Sequence, residues 1–333
     1  MDTKQLSSLA NQIRSGHTRS IAKAISMIEN GEAGASELLD LLSEDIGQAY
    51  RIGITGAPGS GKSSIVTSLT EQFIENDPSI GIVAVDPSSP FSGGALLGDR
   101  VRMSDLRHPG VFIRSMASRG QSGGLAPTSL QVCDLLDASG KDLIIIETVG
   151  TGQSDVDVKD LVDTTVLVLT PESGDSIQAM KAGIMEIGDI IVINKKDRGG
   201  ADRVEQELRS IFRMRRAETA GDDHADPDLD ESIVQTSVRD DENLDELFEL
   251  IQERWTTDRA AQPDEKDLDQ KRRTHLDLIL QSRVKQLLDN SARVHTLKEE
   301  ALDKIRSGTQ SAYSAARDIL QALGLQNEEG PPS

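Results

Sequence analysis

A glycine-rich segment near the start of the chain has the residue types and spacing of a phosphate-binding loop. The segment GAPGSGKS, residues 56–63, fits the pattern GxxxxGK[ST] and lies between the apolar run RIGIT and the helical pattern SSIVTSLTEQFI. In such a loop, backbone N–H groups and the N-terminus of the following helix surround a phosphate. Lys62 is expected to reach the β- and γ-phosphates, and the Ser63 hydroxyl to ligate magnesium. The expected nucleotide contacts are Gly56, Ala57, Pro58, Gly59, Ser60, Gly61, Lys62, Ser63 and Ser64.

A second motif, Asn194-Lys195-Lys196-Asp197, follows the apolar run DIIVI and fits the pattern NKxD. The Asp197 carboxylate can accept hydrogen bonds from both N1–H and the exocyclic amine of guanine, whereas adenine has no donor at either place. Lys195 is expected to lie along the base and ribose with its aliphatic stem. The motif therefore favours GTP and GDP, although a helix N-cap flanked by lysines would use the same residues. Backbone N–H groups are also expected to close over the base at Thr236, Ser237 and Val238.

An acidic residue stands at the end of the apolar run DLIIIE, where P-loop enzymes carry a magnesium-binding aspartate. Here it is a glutamate, Glu147, whose carboxylate could hold magnesium directly or through a water molecule. The Gly150 amide, three residues further on, could bind the γ-phosphate. Gln153 is a candidate for orienting the attacking water, but its spacing from Gly150 differs from that of the Ras-like glutamine.

A glycine-rich segment between these motifs has the character of a switch. The segment VDPSSPFSGGALLGDRVRM, residues 85–103, carries Asp86 at a strand end and Asp99 within the loop. A loop flanked by two carboxylates could respond to the presence of a γ-phosphate and magnesium. The alternative is a polar connection in which Asp86 caps a turn.

The hydrophobic pattern predicts the elements that must position these residues. Short runs that are apolar on both faces alternate with helical patterns from residue 51 onward, as expected for strands covered by helices on both sides. We therefore predict an α/β fold of the P-loop NTPase class, with a doubly wound, mainly parallel sheet. Its seven strands are RIGIT, IGIVAVD, VFIRS, DLIIIET, TVLVLT, DIIVINK and SIVQTS.

Helical extensions are predicted on both sides of the sheet domain. Apolar residues recur at helical spacing over residues 3–46. The acidic segment 217–232 is interpreted as a solvated loop, and the polar segment 256–273 as a linker that leads into a helix. The predicted organisation is an N-terminal extension (1–48), a GTPase domain (49–256), a C-terminal helical arm (257–325) and a flexible tail (326–333).

The C-terminal arm carries an apolar stripe at three-and-four spacing, which must pack against something. It could pack on its own domain, or it could form a dimerisation surface. The sequence leaves both possibilities open. The residues of the stripe are Leu276, Ile279, Leu280, Val284, Leu287 and Leu288, continued by Leu297, Ala301, Leu302 and Ile305.

Composition excludes several classes of partner. The 333 residues carry a formal net charge of -20, so the chain repels nucleic acid and anionic membrane surfaces. Aromatic residues are only 2%, too few for base-stacking platforms. A single cysteine, Cys133, suits a reducing compartment, and no stretch is long and apolar enough to span a bilayer. We therefore expect a cytoplasmic protein.

Taken together, the motifs resemble those of the MeaB/ArgK GTPases, a family that includes the methylmalonic aciduria type A proteins. The resemblance rests on GAPGSGKSS, VDPSSPFSGGALLGDRVRM, FIRSMASRGQSGGLA, IIETVGTGQSDVDV and INKKD, which occur in this order. It implies a G-protein chaperone for an adenosylcobalamin-dependent acyl-CoA mutase, usually methylmalonyl-CoA mutase. Such a chaperone gates cofactor loading, protects or reactivates the mutase, and forms a homodimer through C-terminal helices.

The same resemblance assigns roles to individual residues. Ser63, Asp86, Asp99 and Glu147 would take the magnesium and switch positions. The segment GDSIQAMKAG, residues 174–183, would be a further switch, in which Lys181 couples mutase binding to hydrolysis. Two features depart from the family: a valine follows Thr236 and Ser237 where alanine is common, and the acidic loop over 217–232 is longer than usual.

Two other functions fit the sequence less well. A nickel-delivery GTPase would need metal ligands, and one cysteine with five scattered histidines is poor material for such a site. An ATP-dependent kinase of basic amino acids is disfavoured by the NKxD motif. No arginine finger is evident, although Arg114 and Arg119 lie near the motifs; for them, structural or partner contacts are the simpler interpretation.

Overall fold

The structure is a computed structural model that describes residues 1–76, 78–86, 106, 108–117, 127–148, 156–159, 161–173, 188–218, 232–260 and 265–324. The chain divides into two compact units, Met1–Lys271 and Arg272–Ser333. No helix in this described part of the chain has the length and apolar character needed to cross a bilayer.

The first unit contains a seven-stranded sheet in which all the paired strands run parallel, in the order β3-β2-β4-β1-β5-β6-β7. Its central strands are buried on both faces, which explains why they consist of nearly unbroken Ile, Val and Leu. The predicted fold class and the seven strands are confirmed. The strands are β1 Tyr50–Gly56, β2 Ile80–Asp86, β3 Val111–Ala117, β4 Leu143–Glu147, β5 Thr164–Leu169, β6 Ile190–Ile193 and β7 Ile233–Gln235.

Eleven α-helices are found among the described residues. The first three form the N-terminal extension, and the rest connect or follow the strands. They are α1 Thr3–Arg14, α2 Thr18–Glu29, α3 Ala35–Leu42, α4 Lys62–Ile74, α5 Pro127–Ala138, α6 Val156–Lys159, α7 Ala201–Glu218, α8 Leu244–Ala260, α9 Glu265–Asn290, α10 Ala292–Arg306 and α11 Ala312–Ala322.

Local sequence explains the N-terminal helices. Asp2 caps α1: its carboxylate accepts from the Gln5 backbone N–H at 2.8 Å, and the Gln5 side chain accepts from the Asp2 N–H at 3.1 Å. This reciprocal capping box satisfies two amides that a helix start would otherwise leave without acceptors. The apolar residues of α1 and α2 are buried at the predicted helical spacing, and α2 packs against α5.

A buried ionic network joins the N-terminal extension to the sheet. Asp137 on α5 accepts three backbone N–H groups from residues 47–49, at 2.8 to 3.1 Å. The Arg51 guanidinium on β1 donates to both Asp134 and Asp137 at 2.9 Å. Beside this network, burial raises the pKa of the Cys133 thiol to about 12, which keeps it protonated and unreactive.

We expect Asp137→Ala to lower the free energy of unfolding by about 3–5 kcal/mol, because it removes one partner of a buried ion pair. The same change also leaves three backbone amides without their acceptor. Urea denaturation would measure the change in the free energy of unfolding. Asp45→Ala is the control, since Asp45 pairs with Arg14 at 2.7 Å where both side chains are more than a third exposed; its expected cost is below about 1 kcal/mol. Equal losses in the two variants would contradict the prediction.

The segment expected to be a linker, 256–273, is helical over 256–260 and 265–273. The reason lies in α8, whose Trp255 stacks on Tyr50 of β1 with ring centroids 5.6 Å apart. The Tyr50 hydroxyl donates to Asp258 at 2.8 Å, and Lys271 pairs with Asp163 at 3.0 Å. These contacts hold the polar segment as helix, and the first compact unit ends at Lys271 instead of near residue 256.

Candidate functional site

The two predicted motifs meet at the carboxyl ends of the central strands, where open α/β sheets bind their ligands. The phosphate loop follows β1, which lies between β4 and β5. Ile54 of β1 stands opposite Glu147 of β4, and Gly56 stands opposite Val168 of β5. This register brings the loop, the acidic residue and the end of β5 to one level of the sheet.

The side chain of Lys62, the first residue of α4, folds back into the phosphate loop. Its ammonium donates to the carbonyl oxygens of Gly56 at 2.8 Å and Ala57 at 3.2 Å, and the residue is 6% exposed. A lysine amine held in this way lies among the backbone groups that would surround a phosphate. This position agrees with the prediction that Lys62 reaches the β- and γ-phosphates.

Two glycines of the loop permit contacts that no side chain would allow. Gly56 has a φ of 139°, and a Cβ at this position would lie 2.1 Å from the Val168 carbonyl oxygen. Gly61 has a φ of 101°, and its Cβ would lie 2.2 Å from Asn194 Nδ2. The loop therefore packs directly against β5 and against the NKxD motif.

We expect Gly61→Ala to weaken GDP binding by at least about tenfold, since the new methyl group would push Asn194 away and alanine is strained at this φ. Calorimetric titration with GDP would measure the affinity. Gly59→Ala is the matched control, because Gly59 also has a positive φ, of 77°, but nothing lies within 4 Å of its added Cβ. If both variants lose affinity equally, strain alone is responsible and the contact with Asn194 is not.

The predicted magnesium ligands Ser63 and Glu147 are brought together. Ser63 Oγ donates to Glu147 Oε1 at 2.7 Å, and both residues are buried. A hydroxyl and a carboxylate at this separation supply the hard oxygen ligands that magnesium prefers. The chemistry of this pair therefore fits the ion that the sequence predicts.

A hydrogen bond between two threonines, absent from the sequence-based prediction, ties the strands beneath this pair. Thr148 Oγ1 donates to Thr55 Oγ1 at 2.9 Å, and the Thr148 backbone N–H donates to the Ile54 carbonyl at 3.0 Å. Both threonines are fully buried. Because Thr55 precedes Gly56 and Thr148 follows Glu147, the bond holds the phosphate loop at a set distance from the carboxylate. The only signal of this hydrogen bond in the sequence is a polar residue, Thr55, near the carboxyl end of the mostly apolar strand β1.

The NKxD motif is joined to the phosphate loop by its first two residues. Asn194 Nδ2 donates to the Ser60 carbonyl at 2.8 Å, and Lys195 Nζ donates to the Gly59 carbonyl at 2.5 Å. Lys195 has a φ of 64°, a strained conformation for a side chain of this size that is typical of functional sites. The alternative, an N-cap formed by Asn194, does not hold: the short helix Lys196–Arg198 begins after Lys195 and has no side-chain cap.

Asp197 is held by hydrogen bonding at one oxygen. Ser237 Oγ donates to Asp197 Oδ1 at 3.1 Å, and Arg239 Nη1 lies 3.6 Å from Asp197 Oδ2. The Asp197 side chain is 13% exposed, so its carboxylate reaches the surface of the crevice. A carboxylate oriented in this way can accept the two N–H groups of guanine.

The prediction that the Thr236 and Ser237 backbone N–H groups close over the base is wrong. The Thr236 N–H donates to the Ile193 carbonyl, and the Ser237 N–H donates to the Glu242 carbonyl. The first bond extends the pairing with β6, and the second closes an isolated antiparallel bridge with the turn that follows β7. Ser237 contributes its hydroxyl to Asp197 instead, while Val238 packs against the apolar core of the sheet.

Several predicted site residues lie outside the described residues: Asp99, Arg119, Gly150, Gln153 and Lys181. Asp86 ends β2 at the same edge of the sheet as Glu147, and Ala84 stands opposite Glu147 in the register. Arg114 forms an ion pair with Glu29 at the end of α2. It therefore joins β3 to the N-terminal extension, in agreement with a structural role.

The chain was compared with known proteins. Residues 21–293 match the model of the family described as methylmalonyl Co-A mutase-associated GTPase MeaB. A protein of Pyrococcus abyssi named as a GTPase is 38% identical over 331 residues, which cover 96% of this chain and 98% of that protein. A protein of Caenorhabditis elegans, named methylmalonic aciduria type A homolog, mitochondrial, is 29% identical to this chain. The match covers 97% of this chain and 84% of that protein.

Among solved structures, that of a LAO/AO transport system kinase is 22% identical with a TM-score of 0.64, and the match covers 97% of this chain and 99% of that one. At this identity the similarity supports the fold alone. The family match, which covers most of the chain, and the relatives named as GTPases support more. This chain belongs to the MeaB family and is a P-loop GTPase that binds guanine nucleotides.

Proposed function

We propose that this GTPase is a chaperone for an adenosylcobalamin-dependent acyl-CoA mutase, with methylmalonyl-CoA mutase as the client. It gates cofactor loading and protects or reactivates the mutase, in a cytoplasmic setting. The observation that carries the proposal is the match of residues 21–293 to a family described by its association with this mutase. The name of the Caenorhabditis elegans relative points the same way.

The hydrolysis is an in-line attack of water on the γ-phosphorus, to which the protein contributes position and charge. Lys62 binds the β- and γ-phosphates. The paired Ser63 and Glu147, with Asp86 and Asp99, would hold magnesium, which when bound would neutralise charge on the phosphate oxygens. The tie between Asn194 and Ser60 keeps the base site and the phosphate loop in one rigid arrangement.

Timing depends on the segments that respond to the γ-phosphate. In this proposal, Gly150 and Asp99 contact the terminal phosphate region only in the GTP state, and Lys181 passes on the effect of the bound mutase. The mutase therefore accelerates a slow intrinsic hydrolysis, as activating partners do for other GTPases.

The apolar stripe on α9 supports a homodimer through the C-terminal arm, residues 257–325. Leu276, Leu280, Val284 and Leu287 are between 45% and 72% exposed, and they follow one another at a spacing of three or four residues. Such a contiguous exposed patch marks an association surface. We expect the wild type to sediment as a dimer. The double variant Leu280→Glu/Leu287→Glu should sediment as a monomer, and its intrinsic GTPase rate should be unchanged.

A binding and rate experiment tests the chaperone role. The GTPase is mixed with methylmalonyl-CoA mutase, and complex formation is measured with GDP and with a non-hydrolysable GTP analogue. We expect different affinities in the two nucleotide states and a hydrolysis rate that rises at least about tenfold with the mutase. Equal hydrolysis with and without the mutase, together with no complex in either state, would overturn the proposal and leave the GTPase assignment intact.

A further inference from the structure

A groove runs between the first two helices of the N-terminal extension, with a volume of about 560 Å³. We call it the N-terminal groove; its lining includes Lys4, Leu9, Gln12, Arg19, Ser20 and Lys23. Leu9 and Ser20 are buried and form its floor, where Ser20 Oγ donates to Gln12 Oε1 at 2.7 Å. None of its residues belongs to the phosphate loop or to the NKxD motif.

The N-terminal groove is basic in an acidic protein. The chain has 36 lysines and arginines against 56 aspartates and glutamates, yet Lys4, Arg19 and Lys23 line the groove with Asp2 as the one acid. The Asp2 carboxylate accepts the Gln5 backbone N–H as the cap of α1. Within the described residues, none of the three cations forms an ion pair or a hydrogen bond. All three residues are exposed, so their charged groups can be reached by a ligand from solvent.

The positions of the three cations add to this imbalance. Lys4 is the second residue of α1 and Arg19 the second residue of α2, and the first turn of each helix has no acidic residue. Helix N-termini carry partial positive charge, so cations there are destabilising. Arg19 and Lys23 are also four residues apart on one helix face, where like charges repel. Three unfavourable arrangements thus concentrate positive potential in one groove.

We propose that the N-terminal groove binds an oligophosphate anion at a site separate from the phosphate loop. An anion would offset the repulsion between Arg19 and Lys23 and the positive ends of the two helices, and the planar arginine fork of Arg19 suits the oxygens of a phosphate. Lys4 lies on the opposite helix from Arg19 and Lys23, so a ligand with two or more phosphoryl groups can contact both walls. The volume is within the range of small-molecule sites.

Calorimetry tests the proposal with tripolyphosphate as the probe and full-length protein that carries one equivalent of GDP in the nucleotide site. We expect one binding event whose affinity falls at least about tenfold in Arg19→Gln/Lys23→Gln and weakens with salt. The control is Arg203→Gln/Arg213→Gln, which removes the same charge from exposed positions on α7. Absence of binding, or equal loss in the control, would overturn the proposal. Equal affinity for citrate would overturn the choice of phosphate.

Thermal unfolding provides a second readout that does not depend on a nucleotide. Because the two cations repel each other, Arg19→Gln/Lys23→Gln should melt at or above the temperature of the wild type when no anion is present. Tripolyphosphate should then raise the melting temperature of the wild type and leave that of the variant unchanged. A variant that melts well below the wild type would show that the cations stabilise the helices, and would contradict the proposed site.

Discussion

Replacement of Lys62 by alanine is expected to lower kcat for GTP hydrolysis by a factor on the order of 10²–10³, the usual effect of removing one donor from a charge-stabilising site. The Lys62 amine already lies inside the phosphate loop, where it donates to the Gly56 and Ala57 carbonyls. Negative charge develops on the phosphoryl group during its transfer. Among the described side chains of the loop, only that of Lys62 is positively charged and can stabilise it. Single-turnover measurement of phosphate release gives the rate.

The control for this variant is Lys298→Ala, which removes a half-exposed lysine from the second unit. Its kcat should stay within about twofold of the wild type, as expected for a surface charge that belongs to neither nucleotide-binding motif. Circular dichroism of Lys62→Ala is needed as well, because the lost hydrogen bonds also hold the loop together. A folded Lys62→Ala protein with kcat near that of the wild type would contradict the assignment of the phosphate loop.

The second large effect concerns the choice of base. We expect Asp197→Asn to weaken GTP binding by on the order of 10³, because the amide presents a donor to a guanine group that is itself a donor. The same variant should bind xanthosine triphosphate better than the wild type does, since the carbonyl at C2 of xanthine can accept from the new amide. Competition against a fluorescent GDP analogue measures both affinities.

Asp240→Asn is the matched control for this exchange. Asp240 Oδ2 lies 3.3 Å from the same Ser237 Oγ, so the change has the same size and alters the same local network. Its GTP affinity should remain close to that of the wild type. If Asp197→Asn and Asp240→Asn weaken GTP binding equally, the effect comes from the Ser237 network and Asp197 does not select the base.

Features that depend on nearby residues were predictable from the sequence. The seven strands are confirmed because buried parallel strands must be apolar on both faces, which leaves a strong pattern. The phosphate loop is recognisable because its glycines meet local requirements of backbone conformation, such as the φ of 101° at Gly61. The family assignment follows from the same motifs and is confirmed by the match over residues 21–293.

Features that depend on pairing between distant segments were not predictable. The polar composition of 256–273 indicated a linker, but Trp255 and Asp258 contact Tyr50, about two hundred residues earlier in the chain. The backbone amide of Thr236 is expected at the base, yet it donates to the Ile193 carbonyl on the neighbouring strand β6. Long-range partners of this kind override local propensity.

The sequence by itself determined the chemistry of this protein: a phosphate loop at 56–63, a guanine-selecting motif at 194–197, and an acidic residue, Glu147, between them. Only the tertiary structure decided how these parts are held to one another. Parallel register sets Glu147 opposite Ile54, and the Ser63 hydroxyl of α4 donates to its carboxylate. The Asn194 side chain joins the two motifs, and the Thr55–Thr148 hydrogen bond ties β1 to β4. The reason is physical: a motif specifies which groups are present, while their separation is set by strand pairing across the sheet.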